Sequence, residues 1–85
     1  MEVIRKRARH SLLMGRMAET LGIDLEENAM RGRFDDFEHQ RAIARCTGCE
    51  GGADCPHWLD THRGGAGNAP AYCRNAGLFA TLAGR

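Results

Sequence analysis

Behind a basic opening turn, the apolar residues Val3, Ile4, Leu13, Met14, Met17, Ala18 and Leu21 recur at three- and four-residue steps, the spacing of one buried helical face. The pattern predicts a helix over 2–21, ended by Gly22. Asp24 followed by Glu27 has the form of a capping box, in which each side chain satisfies a free backbone donor at a helix start. A short helix over 25–31 is therefore expected, with Gly32 as the left-handed residue that closes it. Asp35 and Glu38 repeat this grammar, and Phe37, Ala42, Ile43 and Ala44 supply an apolar side to a third helix that delivers Cys46.

Beyond Cys46 the chain changes character. Cys46-Thr47-Gly48-Cys49-Glu50-Gly51-Gly52 is too rich in glycine for regular structure, while Asp54 and Pro56 mark a new helix running through Trp58 and Leu59 to His62. Residues 63–69 read as a flexible connection. Pro70 then opens a last predicted helix, with Cys73 in its first turn and Tyr72, Ala76, Leu78, Phe79 and Leu82 facing inward. Nowhere do apolar and polar residues alternate over several β-branched or aromatic positions. The expected fold is all-α, a small bundle of four to five short helices with a cysteine-rich, metal-binding loop region. Residues 1–85 are read as one domain, with 1–44 a helical scaffold and 45–85 the four-cysteine part.

Composition explains why the cysteines carry weight. A chain of 85 residues has one small core at most, and domains near this size often lean on a disulfide, a metal or a partner. Twelve Lys and Arg against eleven Asp and Glu leave a net charge of +1, which gives no global attraction to nucleic acid or an anionic membrane. The opening segment lacks the apolar run of a signal peptide, and no stretch approaches the length of a transmembrane helix. The reading is a cytoplasmic protein, where clustered cysteines are metal ligands or redox groups before they are structural disulfides.

Two residues separate Cys46 from Cys49, five separate Cys49 from Cys55, and seventeen separate Cys55 from Cys73. Three ligands are local and one arrives from a distant element. In a Cys-x2-Cys turn both thiolates can face one side, with backbone N–H groups at Gly48, Gly51 and Gly52 pointing at the sulfurs. Helix starts behind Asp54 and Pro70 are expected to lower the thiol pKa values of Cys55 and Cys73. Structural zinc sites usually draw on two similar ligand pairs, whereas Cys55 and Cys73 form no such pair. Uneven spacing suits the separated corners of a 4Fe-4S cluster.

The segment from Cys46 to Leu59 resembles the Cys-x2-Cys-x5-Cys core of the WhiB-like iron-sulfur proteins, small helical bacterial regulators. That resemblance implies a cluster. It does not bring a DNA-binding role, because the glycine-tryptophan turn and basic tail are missing and Cys73 lies downstream of the core. More broadly, Met14-Gly15-Arg16-Met17, Leu21-Gly22-Ile23-Asp24-Leu25, the cysteine core, Trp58-Leu59 and the segment from Pro70 to Ala76 resemble a family of small bacterial four-cysteine proteins of unknown function.

The surroundings have assigned roles too. Arg41, Arg45, Arg63 and Arg74 are expected to flank the ligands and offset their charge, with Trp58, Tyr72 and Phe79 shielding the centre. His57 and His62 could replace a thiolate in a site of three cysteines and one histidine, but four cysteines leave no vacancy, so His57 is placed around the centre. The primary expectation is a 4Fe-4S protein of redox sensing or electron transfer with an unknown protein or redox partner. The alternative is a helical adaptor or protein-interaction module stapled by zinc (Zn) on the four cysteines. A nucleic-acid-binding regulator using Arg5, Lys6, Arg7, Arg9 and Arg16 ranks third, for want of a reader motif. No Ser-His-Asp set, phosphate loop or paired carboxylate in an apolar setting suggests catalysis, and the chain is read as no enzyme.

Overall fold

The computed structural model describes residues 2–49 and 54–84, with the side chains of Glu2 and Val3 outside that description. Five helices follow in order: α1 (Glu2–Thr20), α2 (Leu25–Met30), α3 (Asp36–Thr47), α4 (Cys55–Thr61) and α5 (Ala76–Leu82). Among the described residues there is no strand. The protein is all-α.

α1 buries Leu13, Met14, Met17 and Ala18, and Leu21 and Ile23 continue the face beyond its end. Its first turns do not follow the predicted stripe. Ile4 is 65% exposed, and Val3 lies among the side chains not described. At Gly22 the backbone turns left-handed with φ 74°; Gly22 N–H bonds to Glu19 C=O at 3.0 Å and Ile23 N–H to Ala18 C=O at 2.9 Å. This is a Schellman motif, and the buried Ile23 is its apolar lock. Gly32 repeats it after α2, with φ 75° and bonds from Gly32 N–H to Ala29 C=O and from Arg33 N–H to Asn28 C=O.

Asp24 and Asp35 cap α2 and α3 as expected: their carboxylates accept from the Glu27 and Glu38 N–H groups at 3.0 and 2.7 Å. The reciprocal half of the first box is missing, because the Glu27 carboxylate pairs instead with Arg31 at 2.8 Å, one turn on. α2 buries no residue. α3 buries Ala42 and Ile43, while Phe37 is 68% exposed under Arg41, whose guanidinium lies 5.7 Å from the ring centre, and Ala44 faces solvent. The buried aromatic of this region is Phe34, one residue before the cap.

α1 packs against α3 and α4. One apolar cluster joins the buried residues of α1, α3, α4 and α5, with Leu59, Phe79 and Leu82 contributed by the last two. Residues 63–69 are pinned more firmly than a flexible connection would be. Ala66 N–H donates to Thr20 C=O at 3.0 Å and Gly65 N–H to His62 C=O at 2.9 Å. No helix among the described residues is long and apolar enough to cross a membrane.

Candidate metal centre

The elements present the four cysteines differently. Cys46 lies in the last turn of α3, which runs through Thr47 and so takes up the first two residues of the predicted loop. Gly48 closes that helix, its N–H given to Ala44 and Arg45 carbonyls and its φ an ordinary −89°. The expectation that Gly48 N–H serves the sulfurs is therefore corrected: the helix end claims it. Gly51 and Gly52, given the same role, lie outside the described residues.

Cys55 is the first residue of α4, with Pro56 behind it in the position where a missing N–H does no harm. Asp54 makes no side-chain cap and its backbone is already helical. Cys73 departs further from expectation. No helix starts at Pro70; residues 71–75 form turns, and α5 begins only at Ala76. Proline sets its own φ but cannot hold the next residues helical, and here Cys73 N–H folds back to Pro70 C=O at 3.0 Å as a single turn.

All four cysteines are free thiols, each half-buried. The core supports Cys46, Cys55 and Cys73 directly, as partly buried neighbours of its apolar cluster. The Cys46 thiol donates to His10 C=O at 3.6 Å and the Cys49 thiol to Tyr72 C=O at 3.3 Å. Cys49 is thereby joined to the segment that carries Cys73. Electrostatics link the whole set: Cys46 feels Cys55, Cys49 and Cys73; Cys55 feels Cys73 and Cys49; Cys73 feels Cys49. Every pair of the four lies within the other's field.

That field runs against the predicted lowering of the thiol pKa values. Burial first, then repulsion from Cys55, Cys49 and Cys73, pushes Cys46 up to about 11. Cys55 is raised by burial and by Cys73 and Cys49, with Arg16 opposing. Cys73 is raised by burial, while a bond from Asn75 N–H to its sulfur works the other way. At Cys55 the start of the short helix α4 does not outweigh burial and the neighbouring thiols, and Cys73 lies before α5 and not in its first turn. Among the described residues, no three His, Cys, Asp or Glu side chains are closed into a group that could hold a metal ion.

The surrounding residues divide. Arg45 is drawn in, its Nε donating to Asn75 Oδ1 at 2.8 Å. Arg41 sits over Phe37, Arg63 pairs with Asp60 at 3.4 Å, and Arg74 is exposed. The arginine that acts on a cysteine is Arg16, which reaches Cys55 electrostatically while bonding Asp60 at 3.0 Å; that bond holds the Asp60 carboxyl below its ordinary range. Sequence spacing gave no signal for it, since 39 positions separate Arg16 from Cys55. Arg7, another member of the basic run, is bonded to Gln40.

His57 is exposed. His62 stacks on the half-buried Trp58, ring centres 4.0 Å apart, with Nδ1 at 2.7 Å from Trp58 C=O. Phe79 is buried in the core, and Tyr72 lies among the cysteines with its hydroxyl enclosed. Asn75, which drew no attention from its residue type, is a buried polar residue of this region at 2% exposure. Its Nδ2 donates to Ala42 C=O at 2.9 Å, its Oδ1 accepts from Arg45, and its N–H serves Cys73.

Fold and site together define a small all-α protein with four free thiols, drawn from the last turn of α3, the residue after its cap, the start of α4 and the turn before α5. It belongs to a family of unknown function, DUF6455, which matches residues 1–85. No curated protein and no solved structure is significantly similar to the chain. The likeness of residues 46–59 to WhiB-like cores is not shown by these comparisons.

Proposed function

We propose that Cys46, Cys49, Cys55 and Cys73 ligate a metal centre, a 4Fe-4S cluster serving redox sensing or electron transfer. The observation that carries the reading is that four thiols from three separate elements are held in one another's fields. As thiolates, four half-buried neighbours repel one another until a cation is shared, at which point the same proximity becomes favourable. Four thiolates and no competing disulfide are a donor set that fits such a centre, and the uneven spacing favours a cluster over one ion. A cluster bound there would supply one-electron chemistry, and the protein would supply the ligands, the apolar backing and the donors around the sulfurs.

Purified without oxygen, the protein is expected to be brown and to contain iron and acid-labile sulfide in equal amounts. A colourless protein with stoichiometric zinc overturns the cluster. That outcome supports the second reading, a zinc-stapled interaction module, which is favoured by the exposed apolar side chains of Ile4 and Leu12 on α1 and Phe37 on α3. Chelation would then unfold the protein and oxygen would leave it unchanged.

A further inference from the structure

The Tyr72 hydroxyl is enclosed, and no group among the described residues accepts a hydrogen bond from it. It is the one enclosed side-chain nitrogen or oxygen in that condition among those residues. A buried O–H without an acceptor forfeits the hydrogen bond it made in water, and phenylalanine would fill the same space without that loss. The hydroxyl therefore points to a partner that the protein atoms do not provide.

Its surroundings identify the chemistry of that partner. Tyr72 precedes Cys73 in the chain, and its carbonyl accepts from the Cys49 thiol at 3.3 Å. A tyrosine phenol carries its proton at neutral pH, so the group is a donor. Protonated thiols are weak acceptors, whereas metal-bound thiolates and inorganic sulfide are anionic ones.

We infer that the Tyr72 hydroxyl donates a hydrogen bond to an anionic sulfur of the centre held by the four cysteines, and thereby tunes it. The inference rests on the metal-centre reading above. A donor on the sulfur favours the more reduced, more negative state and lowers the energy of the sulfur electrons. Tyr72 is a tuning residue and not a ligand.

Tyr72 is the single tyrosine of the chain, so biosynthetic incorporation of 3-fluorotyrosine replaces it alone with a stronger donor of nearly the same shape. Tyr72→Phe removes the donor. Cobalt(II) is titrated into wild type, the fluorotyrosine protein and Tyr72→Phe, and the sulfur-to-cobalt charge-transfer band is read. The band is expected to move to lower energy in Tyr72→Phe and to higher energy with fluorotyrosine. With iron and sulfide reconstituted, the two changes are expected to shift the redox equilibrium in opposite directions, by about tenfold for Tyr72→Phe, or about 59 mV for a one-electron couple. If wild type takes up neither cobalt nor a cluster, the metal-centre reading fails and the inference falls with it. If wild type binds but the fluorotyrosine protein shows no displacement of band or potential, the centre stands and the role of Tyr72 is overturned. The fluorotyrosine protein keeps the test decisive where Tyr72→Phe does not fold.

Discussion

Arg45 Nε donates to Asn75 Oδ1 at 2.8 Å, and this one bond joins the helix that carries Cys46 to the turn that carries Cys73. Asn75 also holds Ala42 C=O, and its N–H meets the Cys73 sulfur. A single buried amide thus ties together the two elements that carry the cysteines farthest apart in sequence.

Asn75→Ala should destabilise the fold by about 1–3 kcal/mol, because it removes the second hydrogen bond to a buried helix carbonyl and leaves a part-buried guanidinium without its amide acceptor. Asn75→Asp should also be destabilising, since a carboxylate oxygen would face the Ala42 carbonyl where an N–H now donates. Denaturant unfolding of the variants measures both. Stability equal to wild type would show that water replaces the amide without loss.

Cys73→Ser should lose most of the metal bound by wild type while keeping its helical content, since Cys73 lies in a turn and not within α5. Metal analysis and circular dichroism on one sample separate the two effects. Full metal content with lowered stability would make Cys73 a packing residue only.

Stability of the free-thiol form should fall with rising pH between 9.0 and about 11. The unfolded chain releases the Cys46 proton near 9.0 while the folded chain retains it to about 11, so the stabilisation is whole below 9.0 and lost as pH climbs through that window. Cys55 and Cys73, also raised, act in the same direction. Urea midpoints across the window measure the slope, and Cys46→Ala should flatten it. In the metal-loaded form the dependence turns over: ligation requires thiolates, so acid releases the metal and destabilises the fold.

Gly22→Ala should cost about 1–2 kcal/mol, the penalty of a Cβ in the left-handed region. A Cβ at Gly22 would meet nothing within 4 Å, so the cost is conformational and not a clash. Gly15→Ala, inside α1 with equal space around it, should instead be neutral or stabilising. Thermal unfolding of the pair isolates the backbone effect from side-chain volume.

Much of the helical grammar was legible because its signals are local. Asp24, Asp35, Gly22 and Gly32 act on neighbours within one turn, and the apolar spacing of Leu13, Met14, Met17 and Ala18 states a helical face directly. Local grammar misled where two signals competed. Pro70 suggested a helix start, yet residues 71–75 pass before α5, because proline permits a helix without nucleating one. Phe37 and Ile4 fell on apolar spacing but lie where no second element covers them.

By itself the sequence determined the all-α class, the caps that divide the helices and the four cysteines as the chemically distinctive residues, since each follows from residue type and short spacing. Only the tertiary structure decided that Asn75 bridges Arg45 and Ala42, that Arg16 rather than Arg63 or Arg74 acts on Cys55, and that the Tyr72 hydroxyl is enclosed without a protein partner among the described residues. Those relationships depend on which helix faces rest against one another. Burial and long-range fields arise from that packing, and no spacing along the chain encodes them.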